Sequence, residues 1–217
     1  DVQWAPTMDY FKNVFLTALS FFGVKGRVQI LRRGYYPRGQ GDVLLEVEPA
    51  PLKPGHISYE PFTAARNRVS GISHCSNLPE HVAGRQASSA IKRLHESGYV
   101  AEILEEVSRL ASTGSGISLW TAGKGASSLG ERGLPAEKVG QMAAEEMVRE
   151  LCSPAAVDVH LADQLIPYLA LAGGSYSVRE ISRHTKTNIW TAGQFVDGKI
   201  EIKECRGMFQ VESSLRN

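Results

Sequence analysis

The chain has 217 residues, 42% apolar and 22% charged, with 24 lysines and arginines against 23 acids. That length accommodates one or two domains with a real core, and the near-neutral charge leaves no global positive field, so any polyanion contact must come from a local basic patch. Cys75, Cys152 and Cys205 lie far apart without CxxC or Cys/His pairing, which argues against a disulfide framework, a structural zinc site or a thioredoxin-type centre and suits a reducing compartment.

Asp1–Trp4 run straight into a helix-like segment with no initiator methionine, so a further N-terminal segment is expected upstream. From Thr7 to Gly23 the apolar residues Tyr10, Phe11, Val14, Phe15, Ala18, Leu19 and Phe22 recur with the spacing of an amphipathic helix, which Gly23 stops. Arg27–Arg33 and Asp42–Glu48 alternate as paired strands across the turn segment Gly34–Gly41. Pro49, Pro51, Pro54 and Gly55 make a stiff connection whose prolines cannot donate to a sheet, and they mark the first domain boundary.

A strand near Arg68–Ser73, a helix over Pro79–Glu96 and strands over Tyr99–Val107 and Gly116–Trp120 then form a small β-α-β-β layer. Residues 56–122 therefore read as an inserted α/β domain. The Gly/Ser-rich stretch Gly123–Gly133 leads out of it, followed by a helix over Pro135–Leu151 that opens on a proline. Asp158 caps a helix that kinks at Pro167 and ends at Ala172 before Gly173–Gly174. A strand over Tyr176–Ile181, a helix over Thr187–Phe195 and strands over Lys199–Cys205 and Met208–Glu212 close the chain. The expected fold class is α/β, an α+β sandwich: a large domain over 1–55 and 123–217, interrupted by the insertion. The longest apolar stretch, Leu161–Ala172, is interrupted by Asp163 and Gln164 and is shorter than the ~20 residues a membrane helix needs; with no signal peptide, a cytoplasmic protein is expected.

Several residues attract chemical readings. His184 falls between a predicted strand and a predicted helix, a position held by the scaffold yet able to reach a ligand, although a lone histidine there is usually just a surface residue. Asp163 and Gln164 interrupt a helix whose core face is Leu161, Leu165, Leu169 and Ala172; taken alone, such a pair faces solvent. Arg32, Arg33 and Arg38 around Tyr35–Tyr36 form a basic and aromatic cluster that suits a phosphate backbone or a stacked base, or is an ordinary solvated hairpin. Gly123–Ser128 lacks the spacing of a phosphate-binding P-loop, and the six histidines contain no HExxH and no metal-ligand cluster.

The block His160-Leu-Ala-Asp-Gln164, the following Leu-Ala-Gly-Gly and then Arg183-His-Thr-Lys-Thr-Asn188 resemble the C-terminal signature of the RNA 3′-terminal phosphate cyclase family. Trp4–Tyr10, Arg33–Gly41 and Leu129–Gly133 resemble other family blocks in the same order. The resemblance implies repeated β-α-β-α-β-β units in a large domain with an inserted small domain. It implies ATP-dependent conversion of an RNA 3′-phosphate to a 2′,3′-cyclic phosphate, with ATP, Mg²⁺ or Mn²⁺ and a 3′-phosphorylated RNA as ligands and no membrane.

His184 becomes the nucleophile that carries AMP, a role needing a neutral imidazole; Arg183 and Lys186 beside it disfavour a second positive charge and attract phosphate. His160, Leu161, Ala162, Asp163 and Gln164 become ATP contacts. His160 stands where many members have a tyrosine, and stacking on adenine is the other use for its ring. Pro6 and Tyr10, four apart, either hold an adenine ring or staple the helix to the core. No protein metal ligand is assigned. A non-catalytic relative serving as a ribosome-assembly scaffold shares this fold but lacks the histidine. The enolpyruvyl transferases share the repeated fold without the His160–Gln164 and Arg183–Asn188 blocks.

Overall fold

The structure is a computed structural model that describes residues 1–59 and 68–214. The predicted N-terminal helix is present as α1 (Met8–Tyr10), a π-helical segment Phe11–Phe15 and α2 (Leu16–Phe21), running without interruption. Thr7 caps it by accepting the Tyr10 N–H at 3.2 Å, and Gly23 ends it at φ +86°. Val14, Ala18, Leu19 and Phe22 are the buried stripe. β1 (Lys25–Arg32) and β2 (Asp42–Glu48) pair antiparallel in a hairpin with a register shift between Ile30 and Arg32.

The remaining elements divide between two four-stranded sheets. One has the order β3-β8-β10-β9, built from β3 (Gly55–Ile57), β8 (Gly174–Val178), β10 (Met208–Ser214) and β9 (Lys199–Cys205). β3 and β8 are parallel and the other pairs antiparallel. In chain order β3, the helices α5 (Val159–Gln164) and α6 (Ile166–Ala172), β8, α7 (Arg183–Ala192), β9 and β10 make one complete β-α-β-α-β-β unit. The N-terminal helix and hairpin repeat the helix-then-hairpin order of its last three elements. Its core joins Leu161, Leu165, Ile166 and Leu169 to Tyr176, Val178 and Val211 and to the helix residues Tyr10, Val14 and Phe22. The break between α5 and α6 falls at Leu165, two residues before the Pro167 that forces it.

The second sheet has the order β5-β4-β6-β7: β5 (Val100–Ser108), β4 (Arg68–Ser76), β6 (Gly114–Thr121) and β7 (Lys124–Leu129). α3 (His81–Glu96) and α4 (Ala136–Leu151) pack on it through Ala90, Leu94, Val139, Ala143 and Met147 over Val69, Ile117 and Leu119. The boundary expected at residue 122 thus falls between β6 and β7, which pair antiparallel. The elements from Arg68 to Leu151 share one sheet and one core, while residues 60–67 and 215–217 of the expected domains lie outside the described residues. The stretch read as an exit loop is β7. Its small residues have a packing reason: a Cβ on Gly125 would lie 2.8 Å from the Tyr10 ring and from Val14.

Candidate active site

His184 is the second residue of α7, and its ring is exposed. The helix was expected from Thr187 but begins at Arg183. Ser182 supplies the cap by accepting the Thr185 N–H at 2.9 Å, and the fully buried Thr185 anchors the first turn. His184 therefore stands in that first turn, flanked by the exposed Arg183 and Lys186, where the helix dipole adds to their attraction for an anion.

α5 lies against α7, tied to it by Asn188 Nδ2, which donates to the Asp163 carbonyl at 2.9 Å. His160, Asp163 and Gln164 are spaced i, i+3, i+4 and share one face of α5; His160 is exposed and the other two partly so. Burial raises the Asp163 carboxyl above the ordinary carboxylate range, and the His160 and His184 rings are near enough to act on it in the opposite sense. Two helices thus bring two imidazoles and a carboxylate together. Leu161 and Ala162 are fully buried, so their side chains belong to the core and the outward part of this block is His160, Asp163 and Gln164.

The backbone of α5 is fixed from below. The Tyr176 hydroxyl donates to the Ala162 carbonyl at 2.5 Å. Asp158 caps the helix by accepting the Leu161 N–H at 2.8 Å. Tyr10 belongs to the same support. It is 4% exposed, and its hydroxyl lies 2.8 and 2.9 Å from the two Asp158 carboxylate oxygens. Pro6 is exposed and precedes the cap residue Thr7, so it lies outside the helix and the four-residue spacing does not put it on the Tyr10 face. In this structure Tyr10 is a core staple with no open face for adenine.

The hairpin cluster also divides. Arg33 is buried between Asp9, at 2.6 Å, and Glu106, at 2.8 Å, and Tyr35 is buried against His74 Nδ1 at 2.7 Å. Arg32, Arg38 and Tyr36 remain exposed. Cavities of about 370 and 650 Å³ lie beside this hairpin, and neither is lined by His184 or by α5. The larger is lined by charged side chains, Asp9, Lys12, Arg27, Arg33 and Glu106, of which Arg33 is engaged by both carboxylates.

Of the supporting residues, Asn188 lay inside the motif block and Asp158 was legible as a cap. The Tyr10–Asp158 pairing spans 148 positions and has no local signature. Among the described residues no group of three or more His, Cys, Asp or Glu side chains could hold a metal ion, and no helix is long and apolar enough to cross a membrane.

The family model described as RNA 3′-terminal phosphate cyclase matches residues 1–202. The chain is 49% identical to the RNA 3′-terminal phosphate cyclase of Methanosarcina mazei over 97% of its own length and 65% of that protein's. It is 50% identical to that of Methanosarcina barkeri, covering 99% of this chain and 63% of the relative. For Archaeoglobus fulgidus the identity is 52%, over 92% of this chain and 60% of the relative. The chain thus spans a little under two thirds of the length of these relatives. With the match running through the α5 and α7 blocks, the chain belongs to the RNA 3′-terminal phosphate cyclase family.

Proposed function

We propose that this chain carries the nucleotidyl-transfer centre of an ATP-dependent RNA 3′-terminal phosphate cyclase, a ligase-type enzyme of RNA processing, with His184 as nucleophile. The observation that carries this reading is the meeting of α7 and α5, which sets His184 in a cationic first helical turn beside the His160, Asp163 and Gln164 face. An imidazole lone pair forms a bond to the α-phosphorus of ATP as the bond to the bridging oxygen breaks and pyrophosphate leaves. An oxygen of the RNA 3′-phosphate then takes the adenylyl group from the ring nitrogen, giving an RNA–pp–A end. The neighbouring 2′-hydroxyl attacks the 3′-phosphorus, loses its proton and expels AMP, leaving the 2′,3′-cyclic phosphate.

Each step is a phosphoryl or nucleotidyl transfer, in which positioning and charge neutralisation supply most of the catalysis. Arg183, Lys186 and the α7 terminus provide positive potential at the reacting phosphorus. His160 offers a ring to adenine, and Asp163 and Gln164 offer oxygen and amide groups to the ribose hydroxyls or to His184. A divalent ion is expected to accompany the triphosphate. Among the described residues no cluster of His, Cys, Asp or Glu side chains could hold it.

The test is conversion of a 3′-phosphorylated oligoribonucleotide, with ATP, to a phosphatase-resistant cyclic end. Conversion lost in His184→Ala supports the reading. Conversion at the unmodified rate in that variant, or RNA binding without ATP consumption, would overturn it, the second outcome in favour of a scaffold.

A further inference from the structure

Asp158 lies at a junction that the proposed chemistry does not use directly. The residue is 1% exposed, and its carboxylate meets donors from three separate elements. Oδ1 accepts the Leu161 N–H of α5 at 2.8 Å; Oδ2 accepts the Gly125 N–H of β7 at 2.8 Å; the Tyr10 hydroxyl of α1 reaches both oxygens. The backbone is held too: the Asp158 N–H donates to the Gly123 carbonyl at 3.3 Å, and the preceding Ala156 and Val157 N–H groups donate to the Ser177 carbonyl of β8. A cap that served α5 alone would need only one oxygen. Here the second oxygen is spent on β7, a strand of the other sheet.

We propose that Asp158 is a positioning residue that locks the ligand-facing helix α5 to β7 and to the N-terminal helix, so that the second sheet sets the place of His160, Asp163 and Gln164 relative to His184. The proposal rests on the functional reading above for what α5 binds, and on hydrogen-bond geometry for the lock itself. A carboxylate is required because all of its partners are donors. Asparagine keeps one acceptor for the Leu161 N–H, so the helix cap survives, but it turns an amide N–H toward the Gly125 N–H and breaks the tie to β7. Burial holds the Asp158 carboxyl above the ordinary carboxylate range, against the bonds from Leu161, Tyr10 and Gly125, which pull it down.

The experiment compares Asp158→Asn with Gly140→Ala, which perturbs the α3–α4 packing away from the site, each assayed well below its unfolding temperature. Two readouts are taken: amide hydrogen exchange, and transfer of AMP from ATP to the protein as a function of ATP concentration. In Asp158→Asn, faster exchange confined to residues 158–164 and their β7 partners is expected, with the ATP concentration at half-maximal rate raised roughly tenfold or more, as for loss of a hydrogen bond to a charged group. Gly140→Ala should leave exchange in residues 158–164 and the ATP dependence unchanged, its own effect on exchange falling in α3 and α4. Unchanged exchange in 158–164, exchange raised evenly over the chain, or the same kinetics as Gly140→Ala would overturn the proposal. If the unsubstituted protein takes up no AMP, the functional reading fails, and the exchange data still decide the lock.

Discussion

Replacing Tyr10 separates a core residue from a ligand residue. The side chain is 4% exposed, packs against Val14 and Gly125 and donates to Asp158 at 2.8 Å. Truncation to alanine removes an aromatic ring from a closed core, which costs about 3–5 kcal/mol, while Tyr10→Phe loses only the hydroxyl and its charge-assisted bond, about 1.5–3 kcal/mol. At roughly 2–4 °C per kcal/mol for a chain of this size, alanine should lower the melting temperature by about 6–20 °C and phenylalanine by less. The assay is thermal unfolding beside equilibrium ATP binding in the cold. A Tyr10→Ala protein that melts like the unsubstituted one yet binds ATP tenfold more weakly would refute the packing argument and return the ring to the adenine.

Three further outcomes are expected. His74 is fully buried, and burial, with help from the Arg33 guanidinium, holds its imidazole well below the usual histidine range; the Asp1 and Asp9 carboxylates, 3.7 and 3.9 Å from Nε2, do not reverse this, Asp9 being engaged by Arg33 at 2.6 Å. A folded-state pKa below the unfolded one means stability is lost as pH falls below about 6.5, at roughly 1.4 kcal/mol per pH unit. Denaturant unfolding between pH 7 and 5 should therefore show a steeper loss in the unsubstituted protein than in His74→Gln, and parallel curves would contradict it. Gly140→Ala should lower the melting temperature despite a helix-propensity gain of about 1 kcal/mol, because the added Cβ would sit 2.1 Å from the Gln86 carbonyl oxygen of the facing helix. Asn188→Ala, which removes the α5–α7 tie, should slow AMP transfer roughly tenfold while secondary structure by circular dichroism stays unchanged.

Periodicity and caps made most elements legible, including the helices over residues 81–96 and 136–151 and the terminal hairpin. β7 was not, because Gly125, Ala126, Ser127 and Ser128 carry no strand pattern of their own; they form a strand because β6 offers a free edge and the Tyr10 ring leaves no room for larger side chains. The start of α7 was read late because the polar run Arg183–Lys186 has no apolar period, and the signal lay in Ser182 and the buried Thr185. The motif blocks singled out a stretch of α5, but only the helix orientation separates the inward Leu161 and Ala162 from the outward His160, Asp163 and Gln164. Arg33 and Tyr35 looked like a surface cluster since their partners Glu106 and His74 are far away in sequence.

The most direct test of the account is to incubate the protein with ATP labelled at the α-phosphate and a divalent ion, then map the adenylated peptide by mass. A single adduct on His184, labile in acid, stable in base and absent from His184→Ala, is the predicted result. A label on Lys186, or an adduct whose amount is unchanged in His184→Ala, would contradict it.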